Sequence, residues 1–327
     1  MINLLMLAQK EPPHINPIAI QIGKLDIRWY AIILTSAMLV ALFVLYKLAK
    51  KRNFTGDFIL EVFLWTIPLS IIAARLGYCA PRTEYWTSWE GFTRVFKIWE
   101  GGLTILSGIF GGLLGIFIAC KHKKVALFDV VDLVIPALLI GQAIGRWGNF
   151  MNEELYGLPV TDPNLQWMPF AVYIHLENLI PGMGLEPGWY AANFFYESVM
   201  NLVFGIFVML LVRRGKGKPG EITFLYMFWY GFLRGTLEFI KIGQYKLGGV
   251  IGGAQIFAYV MSVVGLIIFI LVKTGKVKFN SSRDLRVKKR IEYVVNDAFI
   301  PGTFNDAFDE LDKEDLKKKE EMRERRK

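Results

Sequence analysis

The sequence predicts an all-α polytopic membrane protein with about seven transmembrane helices and a small extracytoplasmic head region. Of its 327 residues, 54% are hydrophobic, and the mean hydropathy is +0.37, which is more apolar than an ordinary soluble domain. Seven stretches have the length of roughly 17–25 mostly apolar residues that a bilayer crossing requires. Basic residues are concentrated in three short connections between these stretches, as is typical of a polytopic protein.

The first predicted element is a short hairpin, because residues 18–29 alternate around a glycine. The predicted spans follow it at 29–48, 57–79, 101–120, 127–145, 191–212, 221–241 and 251–273. Pro136 interrupts the fourth span. Arg75 in the second span and Arg234 in the sixth indicate that neither is a plain lipid-facing helix.

The distribution of charge predicts the orientation. Eleven lysines and arginines lie in the connections 47–52, 121–124 and 213–218, whereas residues 147–190 contain none. The positive-inside rule therefore predicts an outer N-terminus and a cytoplasmic C-terminus. Because the net charge of +9 largely reflects topology, we expect no nucleic-acid partner.

Three regions follow from this topology. We expect an extracytoplasmic N-terminal segment at 1–28, a seven-helix membrane domain at 29–275, and a charged cytoplasmic tail at 276–327. The membrane domain includes an outer loop region at 146–190. The tail has the composition of a solvated helix or a disordered segment.

The cysteines and histidines predict no metal site, cofactor or disulfide. Cys79 and Cys120 fall at opposite ends of their spans, so about 30 Å of hydrocarbon would separate them, beyond disulfide reach. The three histidines, His14, His122 and His175, lack the close spacing of metal-ligand motifs.

Polar residues within the predicted spans indicate a functional site. Tyr230, Arg234 and Glu238 are spaced i, i+4, i+8, so they share one helix face, where Arg234 can pair with Glu238. An arginine at the bilayer centre costs roughly 2.5–3.5 kcal/mol on insertion scales and is seldom kept without a polar partner. A buried ion pair that only fixes packing is the structural alternative for Arg234, and snorkelling to the interface is the alternative for Arg75.

The predicted topology places several of these polar groups at one depth, in the outer half of the membrane. Besides Arg234, the residues at this depth are Tyr30, Arg75, Ser107, Arg146 and Gln255. Guanidinium groups bind phosphate through paired donors, so three arginines at this depth would suit an anionic head group. In the third span, Gly108, Gly111, Gly112 and Gly115 predict close helix packing.

The stretch GRWGNFMNEELYG, residues 145–157, closely resembles the signature of bacterial prolipoprotein diacylglyceryl transferases. That signature reads Gly-Arg-x-Gly-Asn-Phe-x-Asn-x-Glu-x-x-Gly. Its positions are filled here by Gly145, Arg146, Gly148, Asn149, Phe150, Asn152, Glu154 and Gly157. The segments IRWYAI, ARLGY, IWEGGLTI and YGFLRGTLEF are also similar to the family, and the resemblance covers roughly residues 12–275.

The resemblance implies a multi-pass transferase of the bacterial plasma membrane that acts in lipoprotein biosynthesis. Such enzymes transfer the diacylglyceryl group of phosphatidylglycerol to the lipobox cysteine thiol of a preprolipoprotein. A thioether forms and glycerol 1-phosphate leaves, as the first step of lipoprotein maturation. The implied partners are phosphatidylglycerol, preprolipoprotein signal peptides that carry the lipobox cysteine, and membrane lipids.

The resemblance also implies residue roles. The expected catalytic residues are Tyr30, Arg146, Glu154 and Arg234. The expected substrate-binding residues are Arg75, Ser107, Asn149, Asn152, Gly157, Tyr230, Glu238 and Gln255. The thiolate is the attacking species, and the arginines would stabilise the negative charge that develops on the leaving phosphate. Turn or capping roles are the structural alternative for the asparagines, and an interface anchor is the alternative for Tyr30.

One position departs from the family. Many members have a histidine where Ser107 aligns, and that histidine is a candidate base. Three interpretations stay open: the histidine is not essential, another group such as Glu154 takes the proton, or this chain is impaired. The alternative functions are a transporter or channel for an anionic solute, which would often contain internal repeats, and a nonenzymatic scaffold.

Overall fold

The computed structural model describes residues 12–23, 25–52, 54–98, 101–215, 217–242, 246–247 and 251–282. The chain divides into two compact units, residues 1–279 and 280–327. The described residues leave out most of the expected charged tail and the first eleven residues. They also leave out part of the segment IWEGGLTI.

Six helices in the described part of the chain are long and apolar enough to cross a bilayer, which confirms a multi-pass membrane protein. They are α1 (Trp29–Lys51), α2 (Gly56–Cys79), α4 (Ile105–Lys123), α5 (Leu127–Met151), α6 (Asn193–Arg214) and α8 (Gly253–Thr274). A short helix, α3 (Trp89–Arg94), lies between α2 and α4.

The sixth of the seven predicted spans is the short helix α7 (Glu221–Leu237). Its 17 residues extend about 26 Å at 1.5 Å per residue, less than the roughly 30 Å hydrocarbon core. A 3-10 turn, Glu238–Ile240, continues it. The predicted end at 241 therefore includes this turn.

Glycines allow the two helices of two pairs to pack closely. Helices α2 and α4 pack closely, as do α7 and α8. A methyl group at Gly115 of α4 would lie 2.6 Å from the carbonyl oxygen of Trp65, and one at Gly231 of α7 would lie 2.5 Å from that of Ala258. Since neither site has room for a β-carbon, the predicted close packing of the glycine-rich helix is confirmed.

Helix α5 is central to the bundle, where it packs against α1, α4, α6 and α7. Its inward residues, including Val130, Leu133 and Leu139, join the main apolar core. The helix continues to Met151, past the predicted end at 145. No proline or other strong helix breaker follows Gly145 in this stretch, so most of the signature is helical.

Two antiparallel hairpins flank this bundle. Strands β1 (Ile18–Ile22) and β2 (Leu25–Arg28) form the predicted N-terminal hairpin, with Gly23 at a φ of +62° in its turn. In the α5–α6 connection, residues 152–192, strands β3 (Ala171–Ile174) and β4 (Gly188–Ala191) pair with Tyr173 opposite Trp189. A two-residue pair, β5 (Lys246–Leu247) and β6 (Ile251–Gly252), precedes α8.

The α5–α6 connection begins with a tight turn. Glu153 and Leu155 adopt φ values of +50° and +59°, and their left-handed conformation reverses the chain after α5. A small apolar core that contains Tyr156, Val172 and Tyr190 holds the connection together. The turn therefore places the last residues of the signature beside the ends of α6 and α7.

Candidate active site

Two arginines from different helices meet at one buried carboxylate. Arg146 in the last turns of α5 donates a hydrogen bond from Nη2 to Glu197 Oε1 of α6. Arg234 of α7 places Nη1 3.5 Å from Glu197 Oε2. The Glu197 side chain is 6% exposed, against 18% for Arg146 and 31% for Arg234. The carboxylate thus lies beneath two guanidinium groups that remain partly accessible.

The end of α7 carries a second ion pair. Arg234 Nη2 lies 3.5 Å from Glu238 Oε2, which confirms the predicted i, i+4 pair. Lys241 places Nζ 3.8 Å from the other oxygen of Glu238. Tyr230, one turn earlier on α7, lies close enough to the Arg146 side chain for the two groups to interact electrostatically. These contacts join α7 to the signature helix.

The signature turn forms a short polar chain beside Arg146. Arg146 Nη1 donates to Asn149 Oδ1 at 3.4 Å, and Asn149 Nδ2 donates to Glu154 Oε1 at 2.7 Å. Asn152 Nδ2 reaches the same oxygen at 3.5 Å. Asn149 therefore links Glu154 to Arg146 through two hydrogen bonds. The described contact between this carboxylate and the arginine is indirect.

Tyr30 lies near the start of α1 and packs against the signature helix. A β-carbon at Gly148 would come within 2.9 Å of the Tyr30 ring. Glu154 and Arg146 are both within electrostatic range of its hydroxyl. Eight of the predicted site residues are thus brought together, namely Tyr30, Arg146, Asn149, Asn152, Glu154, Tyr230, Arg234 and Glu238.

Arg75 has different surroundings. Its guanidinium donates to five backbone carbonyls of the segment between α2 and α4, which belong to Arg94, Val95, Lys97, Gly101 and Gly102. The residue is 4% exposed. These contacts organise the segment around α3, and a role for Arg75 in substrate binding stays a prediction.

Ser107, Gly157 and Gln255 each contact backbone. A β-carbon at Gly77 of α2 would collide with the Ser107 side chain, so Ser107 packs into the α2–α4 contact. Gln255 is buried, and its amide donates to the carbonyl of Gly235 at 2.9 Å. Gly157 donates to the carbonyl of Ala191 at 2.8 Å.

Gly157 fits a site with no room for a side chain. A β-carbon at this position would lie 2.6 Å from the carbonyl oxygen of Ile240 and 2.7 Å from Asn193 Oδ1. It also forms a backbone bridge with Lys241. The glycine lets the signature turn approach the ends of α6 and α7. The binding roles of Ser107, Gly157 and Gln255 stay predictions.

Two polar residues of α6 escaped the sequence-based prediction. Glu197 bridges the arginines, and Asn201, one turn further along, is fully buried with both amide atoms unpaired among the described residues. Asn193, Glu197 and Asn201 repeat at i, i+4, i+8, so they share one face. On α7 the same spacing grouped Arg234 with Tyr230 and Glu238, and on α6 it would have grouped these three residues as well.

A second cluster joins the N-terminal segment to the α5–α6 connection. His14, Glu153 and His175 bring nitrogen and oxygen atoms within 4.8 Å of one another. The predicted absence of a metal site relied on sequence spacing, whereas the fold brings two of the histidines together. Burial favours a higher pKa for Glu153, but hydrogen bonds from the backbone and ring of His175 and from Asn178 lower this pKa overall.

Comparison with known proteins identifies the family. The family model for prolipoprotein diacylglyceryl transferase matches residues 17–271. The phosphatidylglycerol–prolipoprotein diacylglyceryl transferase of Lysinibacillus sphaericus is 34% identical over 86% of this chain and 97% of its own length. The enzyme of the same name from Listeria innocua is 34% identical over 84% of this chain and 97% of its own length. The one from Halalkalibacterium halodurans is 33% identical over 78% of this chain and 86% of its own length. Because the match spans the membrane helices and the signature together, the chain belongs to the prolipoprotein diacylglyceryl transferase family.

Proposed function

We propose that this chain transfers the diacylglyceryl group of phosphatidylglycerol to the lipobox cysteine of preprolipoproteins in the bacterial plasma membrane. The observation that carries the proposal is the convergence of Arg146 and Arg234 on Glu197, within a chain that belongs to this family. The transferase is favoured over an anion transporter because relatives that match over most of this chain carry the transferase name.

The reaction replaces a carbon–oxygen bond with a carbon–sulfur bond. The cysteine thiol loses its proton, and the thiolate attacks the carbon of the diacylglyceryl group that is bonded to the phosphate oxygen. The bond from that carbon to the phosphate oxygen breaks, and its electron pair leaves with glycerol 1-phosphate. The products are a thioether-linked lipid and a phosphate monoester with one more negative charge than the diester.

The two arginines are suited to this change in charge. Each guanidinium offers a rigid fork of donors that matches phosphate oxygens. Their side chains are partly accessible while Glu197 is buried, so a phosphate can approach the arginines from the open side. The dianionic leaving group would be held more strongly than the monoanionic lipid, and this difference lowers the barrier.

The remaining residues of the cluster complete the proposed site. Asn149 and Asn152 hold Glu154, and Glu154 is the candidate acceptor for the thiol proton in a chain with Ser107 at the family's histidine position. Tyr30 and Tyr230 would donate hydrogen bonds to the head group. The roles of Ser107, Gly157, Glu238 and Gln255 in substrate binding are part of the same proposal. For Arg75, whose guanidinium donates to five backbone carbonyls, we propose a structural role instead.

The proposal includes the orientation of the helices. Helix α7, sixth in chain order, would bring the number of spans to seven, with the N-terminus outside, the C-terminus in the cytoplasm and the α5–α6 connection at the outer face. This arrangement places the three basic connections on the cytoplasmic side. It also brings the arginines to the face from which a translocated signal peptide is presented.

The test is transfer by the purified full-length protein in detergent, supplied with phosphatidylglycerol and a lipobox peptide. We expect a thioether-linked diacylglyceryl peptide and release of glycerol phosphate. Replacement of Arg146 or Arg234 by alanine should abolish transfer, whereas Arg82→Ala, a change at an arginine that hydrogen-bonds Tyr78, should preserve it. Full activity of both site variants would overturn the assignment. Anion flux through vesicles without a thioether product would support a transporter.

A further inference from the structure

The cluster between the N-terminal segment and the α5–α6 connection contains the ligand types of a transition-metal site. His14, Glu153 and His175 place candidate ligand atoms within 4.8 Å of one another. Glu177 adds a fourth, because its Oε1 lies 2.6 Å from His14 Nε2. Two imidazoles and two carboxylates form a set that suits zinc and its neighbours among the divalent ions.

The hydrogen bonds of His175 orient its ring for a ligand. Nε2 lies 3.1 Å from the carbonyl oxygen of Pro12, and a carbonyl only accepts, so Nε2 carries hydrogen. Nδ1 then faces both carboxylate oxygens of Glu153 at 2.8 and 2.9 Å. On a neutral ring, this nitrogen is an acceptor that faces two acceptors. The contact at this distance therefore requires a proton on Nδ1, and a metal ion could replace that proton once the two groups move apart to about 3.4 Å.

His175 and Glu153 also make the hydrogen bonds that usually orient the ligands of a metal site. Histidine ligands of metals usually donate their second ring N–H to a carbonyl or carboxylate, as His175 does to Pro12. Glu153 is held by the backbone N–H of His175 at 3.0 Å and by Asn178 Nδ2 at 3.1 Å. Both His175 and Glu153 are buried, so two of the ligands are already positioned.

We propose that His14, Glu153 and His175, with Glu177, bind one divalent transition-metal ion of the zinc class. A tetrahedral ion with bonds of about 2.0–2.2 Å separates its ligand atoms by about 3.4 Å. Because the candidate atoms of His14, Glu153 and His175 lie within 4.8 Å of one another, no pair among these three must close by more than about 1.4 Å, and the shorter contacts must open to about 3.4 Å. Glu177 contacts His14 at 2.6 Å, and the side chains of both residues are partly accessible and can move with the ion.

Metal binding would connect distant parts of the chain. His14 precedes the first hairpin, whereas Glu153 lies in the signature turn next to Glu154. A bound ion would attach the N-terminal segment to this turn and would stabilise the folded protein in proportion to its affinity. The site is separate from the arginines and supplies no step of the proposed transfer.

The test is calorimetric titration of tag-free, chelator-treated full-length protein with ZnCl₂ in detergent, without lipid or peptide. We expect one ion per chain and a higher melting temperature in its presence. Binding should weaken at least about tenfold in His14→Ala and in His175→Ala, a loss of about 1.4 kcal/mol for each. The visible spectrum of bound Co²⁺ should indicate four-coordinate geometry in the wild type.

The third histidine provides the matched control. His122 pairs with Glu61 and takes no part in the cluster, so His122→Ala should bind Zn²⁺ like the wild type. Failure of the wild type to bind, or equal binding by His14→Ala and the wild type, would overturn the proposal. Weakening by His122→Ala alone would also overturn it. Since the assay contains neither substrate, its result does not depend on the transferase activity.

Discussion

Glu197 determines how the two arginines of the candidate site can lie together. Two guanidinium groups repel each other, and the repulsion grows as water is excluded. The buried carboxylate of Glu197 contacts both Arg146 and Arg234 and offsets much of that repulsion. Each terminal guanidinium nitrogen carries two hydrogens, so the contacts to Asn149, Glu197 and Glu238 leave donors for the proposed phosphate. In the proposed site, Glu197 would therefore have a positioning role.

Replacement of this carboxylate by an amide tests that role. In Glu197→Gln, we expect transfer to fall more than tenfold and stability to fall by about 1.5–3 kcal/mol, the range for hydrogen bonds to charged groups. The measurements are product formation and thermal unfolding in detergent. The control is Glu61→Gln, which removes a carboxylate paired with His122 and Lys123 and should leave transfer intact. Unchanged transfer by Glu197→Gln would exclude the positioning role.

Arg75 allows a second test at the level of one residue. In Arg75→Lys, a single ammonium cannot reach five carbonyls, so buried acceptors lose their donors. We expect stability to fall by about 1–3 kcal/mol, while the KM for phosphatidylglycerol of the folded fraction stays unchanged. Arg82→Lys is the control, since the Arg82 guanidinium donates to a single carbonyl, that of Tyr78, among the described hydrogen bonds. A raised KM with unchanged stability would instead place Arg75 in the lipid site.

At the scale of elements, the α2–α4 contact depends on how closely two backbones approach. Gly115 and Gly112 lie on the same helix, but they meet the partner differently. A β-carbon at Gly115 would lie 2.6 Å from a backbone oxygen, whereas one at Gly112 would lie 3.6 Å from the flexible methyl group of Thr66. The predicted glycine stripe therefore contains positions of unequal importance.

This difference gives a matched pair of variants. Gly115→Ala should destabilise the protein by about 1–3 kcal/mol, because the helices must move apart. Gly112→Ala should be neutral or slightly stabilising, since alanine is the better helix former by up to about 1 kcal/mol. Thermal unfolding of both variants in the same detergent measures the difference. Equal stability of the two would contradict the packing described for α2 and α4.

At the scale of the whole molecule, the orientation in the membrane can be tested through the cysteines. Cys79 and Cys120 are both free and buried, so the wild type should react slowly with an impermeant maleimide. In intact cells, Asp162→Cys in the α5–α6 connection should be labelled, whereas Lys51→Cys at the end of α1 should react only after permeabilisation. The reverse pattern would contradict the proposed orientation.

Much of the architecture could be predicted because its causes are local in the sequence. Apolar length predicts a bilayer crossing, basic residues next to the spans predict an orientation, and alternation around Gly23 predicts a hairpin. The signature and the i, i+4 pair of Arg234 and Glu238 are also local. The end of α5 was harder to predict, since polar residues such as Asn149 are compatible with both a helix and a turn.

The sequence by itself determined the family signature, the apolar spans and the choice of Arg146 and Arg234 as candidate site residues, because each is a pattern within a few turns of one segment. Only the tertiary structure decided which partner each charged group meets. It placed Glu197 between Arg146 and Arg234, gave Arg75 to backbone carbonyls, and brought His14 to His175. These contacts depend on the register at which packed helices and loops meet, and that register is set by side-chain fit across segments distant in the sequence.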